Sequence, residues 1–275
     1  MSSALSSFVR RPAVAGYFYP AEADQLTRQI DAMAAVAGPA IPARGVIVPH
    51  GSYRHAGRVM GATFGQITIP SHCIILGPSH TGSLRPWSIM DEGAYRTPLG
   101  DVPVDERCAE ALTARCPFLE PDPWAQRGEH AIEVVLPWLQ RLGPADLTIV
   151  PLIAGTGCEE ELPRLAQALA QAIRMQEEPV LLIASSDFSQ YQNQAQGAAQ
   201  DRLLLEAICA LDEERLSCAI SAGEVSMCGS EAVRCTLAAA ARLGASQAAC
   251  MAYGTSLDGG GDPWSVTGYA GVAIS

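Results

Sequence analysis

Four short apolar runs bounded by turn residues frame this 275-residue chain: residues 45–49 (GVIVP), 72–77 (HCIILG), 147–153 (LTIVPLI) and 180–185 (VLLIAS). Runs of this length, rich in Val, Ile and Leu and without alternation, suit strands buried on both faces. Residues 248–253 and 265–274 extend the series, the latter interrupted by Gly268 and Gly271. Between the runs lie apolar stripes at helical spacing. One comprises Leu162, Leu165, Ala166, Leu169 and Ile173; another comprises Leu203, Leu204, Ala207, Ile208 and Leu211. Residues 231–243 and 129–142 also read as helices, the second broken or kinked at Pro137. Strands alternating with helices predict an α/β fold, a single domain with a mostly parallel central sheet and helices on both faces. No repeat, low-complexity tract or long linker divides it, so residues 8–275 are expected to form the domain and residues 1–7 a disordered N-terminus.

Composition removes whole classes of function. With 48% hydrophobic and 17% charged residues the chain is too apolar to remain disordered. No apolar run approaches the ~20 residues of a membrane helix, and no basic start followed by an apolar core marks a signal peptide. The net charge is −11 and no basic cluster exceeds Arg10-Arg11, which argues against nucleic-acid partners. All 18 basic residues are arginine, so Schiff-base chemistry and a P-loop lysine are excluded. Nine cysteines, an odd number with no C-x-x-C, several of them in apolar surroundings, fit a reducing cytoplasm with buried thiols.

In an open α/β sheet, ligands bind beyond the carboxyl ends of the strands. His50 follows the first run, His80 the second and Asp187 the fourth. Three of four strand ends therefore carry a group that binds metal or moves protons. Two imidazoles plus an anionic ligand form an open site for iron, copper or zinc; each histidine can equally be a loop residue bonded to a carbonyl. Asp187 reads as a ligand, a base, an orienter of histidine, or a helix N-cap after Ser185-Ser186. His130 and Glu133 stand three apart in EHAIE and share a face if that segment is helical, as a supporting pair or proton relay. The alternative for this segment is a solvated charged first turn, in which Glu129 simply complements the helix dipole. Cys228, in SMCGSEA, enters a helix, where a thiol favours thiolate, a nucleophile and soft ligand; the alternative is a small buried residue. His55 and His72 read as structural and surface residues.

In order, RRPAVAGYFYP, VPHGSYRHAG, ILGPSH, YRTPLG, EHAIEVVLPWLQ, VPLIAGT, SSDFS, MCGS and YGTSLDGGGDPWSVTGYA resemble the motifs of the Memo family, known in bacteria and archaea as AmmeMemoRadiSam system protein B. The resemblance runs from about Arg10 to Ala273. It implies a fold similar to class III extradiol dioxygenases, non-haem iron enzymes that open catechol rings. It also implies a two-histidine, one-cysteine site for iron or copper, with zinc a further choice. His50, His80 and Cys228 match the metal residues, Asp187 a nearby aspartate, and His130 with Glu133 a cleft pair. This chain departs from the pattern with Gly51-Ser52 where PHAGY is common, with Gln190 in a slot that often holds histidine, and with Val135 in one that often holds glutamine.

These readings point to a metal-dependent redox or dioxygenase-like enzyme acting on a small molecule. The alternatives are a non-catalytic adaptor using a vestigial enzyme cleft, and a copper- or iron-handling protein. An AMMECR-domain protein and a radical SAM protein are the partners that the resemblance implies.

Overall fold

Burial of the apolar runs builds the sheet. The computed structural model describes residues 8–34, 39–83, 85–190 and 193–275; the expectation for residues 1–7 lies outside them. In chain order the first half contains β1 (Val9–Arg10), α1 (Ala23–Met33), β2 (Gly45–Val48), α2 (Tyr53–Phe64), β3 (His72–Pro78), β4 (Trp87–Ile89), β5 (Ala94–Thr97), β6 (Gly100–Pro103), α3 (Glu106–Thr113), β7 (Leu119–Pro121) and α4 (Pro123–Arg127). The second half contains α5 (Leu136–Leu142), β8 (Thr148–Ala154), α6 (Leu162–Arg174), β9 (Val180–Ser185), α7 (Gln194–Cys209), α8 (Glu213–Ser221), α9 (Ser230–Arg242), β10 (Ala248–Thr255) and β11 (Gly268–Ile274).

The main sheet has eight strands in the order β10-β11-β2-β9-β3-β8-β4-β7. Its centre, β2-β9-β3-β8, is wholly parallel, and these strands are the four apolar runs. Outside that centre the sheet is mixed. β11 runs antiparallel to β2 and β10 antiparallel to β11; on the other side β4 is antiparallel to β8 and β7 parallel to β4. A separate three-stranded sheet, β1-β5-β6, carries the YRTPLG hairpin.

Helix α9, backed by α6, packs on β2, β3 and β9, and α2 packs on β10 and β11. The stripe Leu162, Leu165, Ala166 and Leu169 is buried as its spacing predicts. In α7 the period holds only in part: Leu204, Ala207 and Ile208 are buried, but Leu203 is 42% exposed. Leu211 lies beyond the helix with φ 55°.

The single helix expected over 129–142 is a bend followed by a 3₁₀ turn, Glu133–Val135, leading into α5. Pro137 falls in the first turn of α5, where its missing N–H costs nothing, and so starts the helix rather than kinking it. The turn is held from the other side by Arg10, which is fully buried. Its guanidinium donates to the Glu133 carboxylate and to the carbonyls of Arg11, Gln126 and Glu129. Glu133 also accepts from Ala13 N at 2.8 Å, from Val14 N at 3.0 Å and from the Tyr19 hydroxyl. This ion pair ties the N-terminal segment to residues 126–133.

Removing one member of a buried pair strands the other charge. Arg10→Met is therefore expected to destabilise the protein by about 3–5 kcal/mol. The double variant Arg10→Met/Glu133→Leu should recover a large part of that loss. Chemical denaturation of the three proteins checks both values.

Candidate metal centre

Three parallel neighbours, β2, β9 and β3, end at the same edge of the sheet, so the residues after them emerge side by side. His50 lies two residues past β2, His80 two past β3, and Asp187 two past β9. Cys228 arrives from the opposite direction, on the turn entering α9. Its N–H donates to the Asp187 carbonyl at 3.0 Å, forming an antiparallel bridge, and the Ser186 hydroxyl donates to its carbonyl. The next residue must be glycine. Gly229 has φ 85°, and a Cβ there would meet the Ser185 carbonyl oxygen at 2.6 Å.

The ligand atoms of His50, His80 and Cys228 all lie within 4.8 Å of one another. Each imidazole is held through its other nitrogen. Ser185 Oγ donates its only hydrogen to the Ala131 carbonyl at 2.6 Å, so at 3.0 Å from His50 Nδ1 it must accept. That assigns the proton of neutral His50 to Nδ1 and leaves a lone pair on Nε2, which is buried without a hydrogen-bond partner among the described residues. His80 Nδ1 is 2.8 Å from Glu129 Oε1, which can only accept, so its Nε2 is likewise the free nitrogen, 3.1 Å from Cys228 Sγ. A buried orphan nitrogen, a second imidazole presented by a carboxylate and a thiol between them fit a metal ion with a mixed N/S preference.

Electrostatics agree. Burial alone would raise the Cys228 pKa, but the two imidazoles beside it, His50 and His80, bring it below the ordinary thiol value. Burial opposes charge on His80, yet Cys228 and Glu129 hold its pKa up at about 10. Burial likewise opposes charge on His50, and Asp187 and Cys228 outweigh it, raising its pKa. Thiolate character at Cys228 and positive charge on the two rings therefore favour one another.

Asp187 supports this cluster from beneath. Its Oδ1 accepts from His50 N at 2.8 Å and Gly51 N at 3.2 Å, fixing the turn that carries His50, and Oδ2 lies 3.8 Å from His50 Nε2. His130 also joins the cleft: its ring stacks on His80 at 4.4 Å, lies 5.7 Å from His50, and meets the edge of Phe18 at 4.8 Å. Burial drives its pKa down to about 4, which leaves it uncharged at neutral pH.

The structure does not bring Glu133 to the cleft. Its oxygens are taken by Arg10, Ala13, Val14 and Tyr19, and the regular helix that would put it on the face of His130 is absent. The carboxylate beside the two rings is Glu129, which is fully buried, so the alternative of a solvated first turn does not hold for it. Burial would raise its pKa, but hydrogen bonds from His80, together with the backbone N–H groups of Ala131 and His80, hold it down at about 2. The signal was present in the sequence: Glu129 is followed by His130 and an apolar run, an unusual place for a solvated acid. Glu129, His80 and His130 also lie close enough to suggest a second centre. Glu129 Oε1 already accepts from His80 Nδ1, His130 N and Ala131 N, and Oε2 from His80 N, so its lone pairs are committed to orientation. Val135 is buried in the core rather than facing the cleft. His72 pairs with Asp105 and Thr148, and His55 with Ser52, away from the centre.

If the cluster holds a thiolate, Cys228 is the cysteine whose alkylation persists as pH falls. In chelator-treated protein, iodoacetamide should label Cys228 with little loss of rate from mildly alkaline to mildly acidic pH. Cys73, Cys108, Cys116, Cys158 and Cys235, whose pKa values burial raises, should stay protected. Peptide mass spectrometry over a time course reads this; a steep pH-dependent loss at Cys228 would contradict the assignment.

A family model described as Memo-like protein matches residues 10–273. A MEMO1 family protein of Methanopyrus kandleri is 34% identical over 280 residues, covering 96% of this chain and 98% of the relative. A MEMO1 family protein of Methanothermobacter thermautotrophicus is 35% identical, with 95% and 99% covered, and one of Aquifex aeolicus is 32% identical, with 96% and 98% covered. Among solved structures, an uncharacterized protein of Escherichia coli K12 shares the fold with a TM-score of 0.57 at 12% identity, covering 84% of this chain and 99% of that one.

Proposed function

The chain belongs to the Memo-like protein family, and from that footing we propose that it is a metal-dependent redox enzyme holding iron or copper between His50, His80 and Cys228. The observation that carries the reading is His50 Nε2, a buried nitrogen with no hydrogen-bond partner among the described residues, within 4.8 Å of a thiol and a second imidazole. Three protein ligands leave positions open on either ion, and the thiolate makes the set softer than a two-histidine, one-carboxylate triad. When bound, such an ion supplies a redox-active Lewis acid next to the cleft.

The chain's own groups prepare that place. Ser185 and Asp187 fix the His50 ring and its turn, and Glu129 fixes the His80 tautomer. His130, uncharged and stacked on His80, can accept a hydrogen bond from a hydroxylated substrate. The ring of Phe18 meets His130 edge-on and helps to hold it there. A small hydroxylated aromatic compound is the substrate class that this reading favours, following the dioxygenase likeness of the family motifs. The proposed setting is the cytoplasm, with an AMMECR-domain protein and a radical SAM protein as partners; no helix among the described residues is long and apolar enough to cross a membrane.

Metal analysis of untagged protein purified without chelators tests the reading. Near-stoichiometric iron or copper is expected in the wild type, and little in His50→Ala or Cys228→Ser with folding preserved by circular dichroism. Anaerobic reconstitution with Fe(II), followed by oxygen uptake with a panel of catechols, then tests turnover. A wild type without metal that captures a stoichiometric partner indifferent to His80→Ala would overturn the proposal and favour the adaptor reading.

Glu129→Gln keeps the shape but cannot hold the His80 N–H as a carboxylate does. Metal affinity, measured by competition with a chromophoric chelator, is expected to fall about 10- to 100-fold. An unchanged affinity would mean that Glu129 serves the fold rather than the metal.

A further inference from the structure

The buried stripe of α7 carries an acid. Gly197, Asp201, Leu204, Ala207 and Ile208 are its buried residues, and Asp201 is 1% exposed. A carboxylate in the core is destabilising unless its oxygens are hydrogen-bonded. Here neutral donors supply those bonds. Oδ1 accepts from Ser189 N at 2.8 Å, and Oδ2 accepts from the Tyr253 hydroxyl at 2.7 Å. A leucine on this stripe would need no partners at all, so the acid points to a task in what it holds.

The sheet is matched to this acid. Gly268 opens β11, and a Cβ at that position would run into the Asp201 carboxylate. Glycine is the residue that leaves room for so close an approach.

Ser189 is the last residue of the short extension that follows β9, and that extension fastens the parts of the cluster together. Ser186 N donates to the Val48 carbonyl of β2 at 2.8 Å, and the Asp187 carbonyl accepts from Cys228 N at 3.0 Å. Phe188 N donates to the Gly268 carbonyl at 2.9 Å, and the Ser189 carbonyl accepts from Gly268 N at 2.8 Å. The Asp187 side chain carries the His50 turn. Before the extension, β9 is held on both sides by β2 and β3. After it the chain passes to α7, and Asp201 reaches back from that helix, twelve residues on, to hold Ser189.

We propose that Asp201 is a positioning residue of the metal centre: by holding Ser189 N–H it keeps residues 187–189 in the alignment that brings His50 and Cys228 together. Asp201 touches neither ligand candidate and acts through Ser189 and Asp187. Its other oxygen serves Tyr253, which is not on that route. The inference rests on the reading of His50, His80 and Cys228 as the metal ligands, but the alignment exists without an ion and can be measured without one.

Two measurements on the full chain test it. The first is amide hydrogen exchange of chelator-treated protein, read at His50, Phe188 and Cys228. Exchange there is expected to be faster in Asp201→Ala than in the wild type. It should return to the wild-type rate in Asp201→Asn, which keeps an acceptor for Ser189, and stay unchanged in Tyr253→Phe. The second is titration with Co(II), whose absorption reports both binding and thiolate ligation. Asp201→Ala should bind about tenfold more weakly, with an altered spectrum; Asp201→Asn and Tyr253→Phe should behave as the wild type. Leu112→Ala, a core truncation in α3, which packs on α6, β7 and β8, controls for lost stability and should bind Co(II) as the wild type does. If Asp201→Ala does not fold, Asp201→Ser replaces it, since a serine hydroxyl is too short to reach Ser189 N. A wild type that binds no Co(II) defeats the metal reading, and the exchange rates then still decide whether Asp201 aligns the cluster. Wild-type exchange and affinity in Asp201→Ala overturn the proposal. So does an equal loss in Leu112→Ala, or an Asp201→Asn that loses as much as Asp201→Ala.

Discussion

The parallel alignment of β2, β9 and β3 is the constraint from which the site follows. Strands that run the same way must end at the same edge, and the first polar residues beyond them have nowhere to go but into one shared space. The order β2-β9-β3 sets the details. The middle strand delivers Ser185 and Asp187 between the two histidine turns, where Ser185 reaches one ring and Asp187 fixes the backbone carrying it. The fourth element, the Cys228 turn, is fastened to this same middle strand extension through the Asp187 carbonyl and the Ser186 hydroxyl. The three ligand candidates thus come from widely separated parts of the chain; His50 and Cys228 are located by contact with residues 185–187, and His80 by Glu129.

Orientation is a separate matter from location, and it is settled by counting hydrogens. Ser185 has one hydrogen and uses it on Ala131, so His50 must point its own proton at Ser185. Glu129 has none at neutral pH, so His80 must point its proton at Glu129. Both rings are left with Nε2 lone pairs facing the same space. Ala131 and Glu129 belong to the segment that Arg10 grips through the Glu129 carbonyl and Glu133. The buried ion pair therefore acts on the site at one remove: it holds the strap whose carbonyl and carboxylate choose the tautomers. This gives Glu133 a part in the site's geometry even though it never enters the cleft.

This division explains what the sequence made legible. His50, His80 and Asp187 could be read because each directly follows an apolar run, and strand ends are local features. The four central strands could be read because burial on both faces leaves an uninterrupted apolar stretch. Cys228 had no such mark: it approaches along a loop into α9, and its position depends on a long-range bridge to Asp187. Glu129 and Glu133 exchanged roles because three-residue spacing implies a shared face only in a regular helix, and the segment is a bend followed by a 3₁₀ turn. The mixed outer strands were hidden for a related reason. β4 and β7 are three residues long, too short to carry a period, and their pairing is decided by the hairpin and helices between them.

A site built this way does not depend on its ion for shape. In zinc fingers the metal is the core, and ligands without metal have no structure. Here the ligands are extensions of a sheet whose strands are buried among large side chains, and two of the three are held by hydrogen bonds pointing away from the metal position. The thiolate also has a substitute cation when the ion leaves, since His50 and His80 are both biased toward the charged form beside it. Binding an ion then exchanges protons for metal within a preformed cage. The cost of that exchange is proton release rather than reorganisation, because the residues that would surround an ion are already held in place without it.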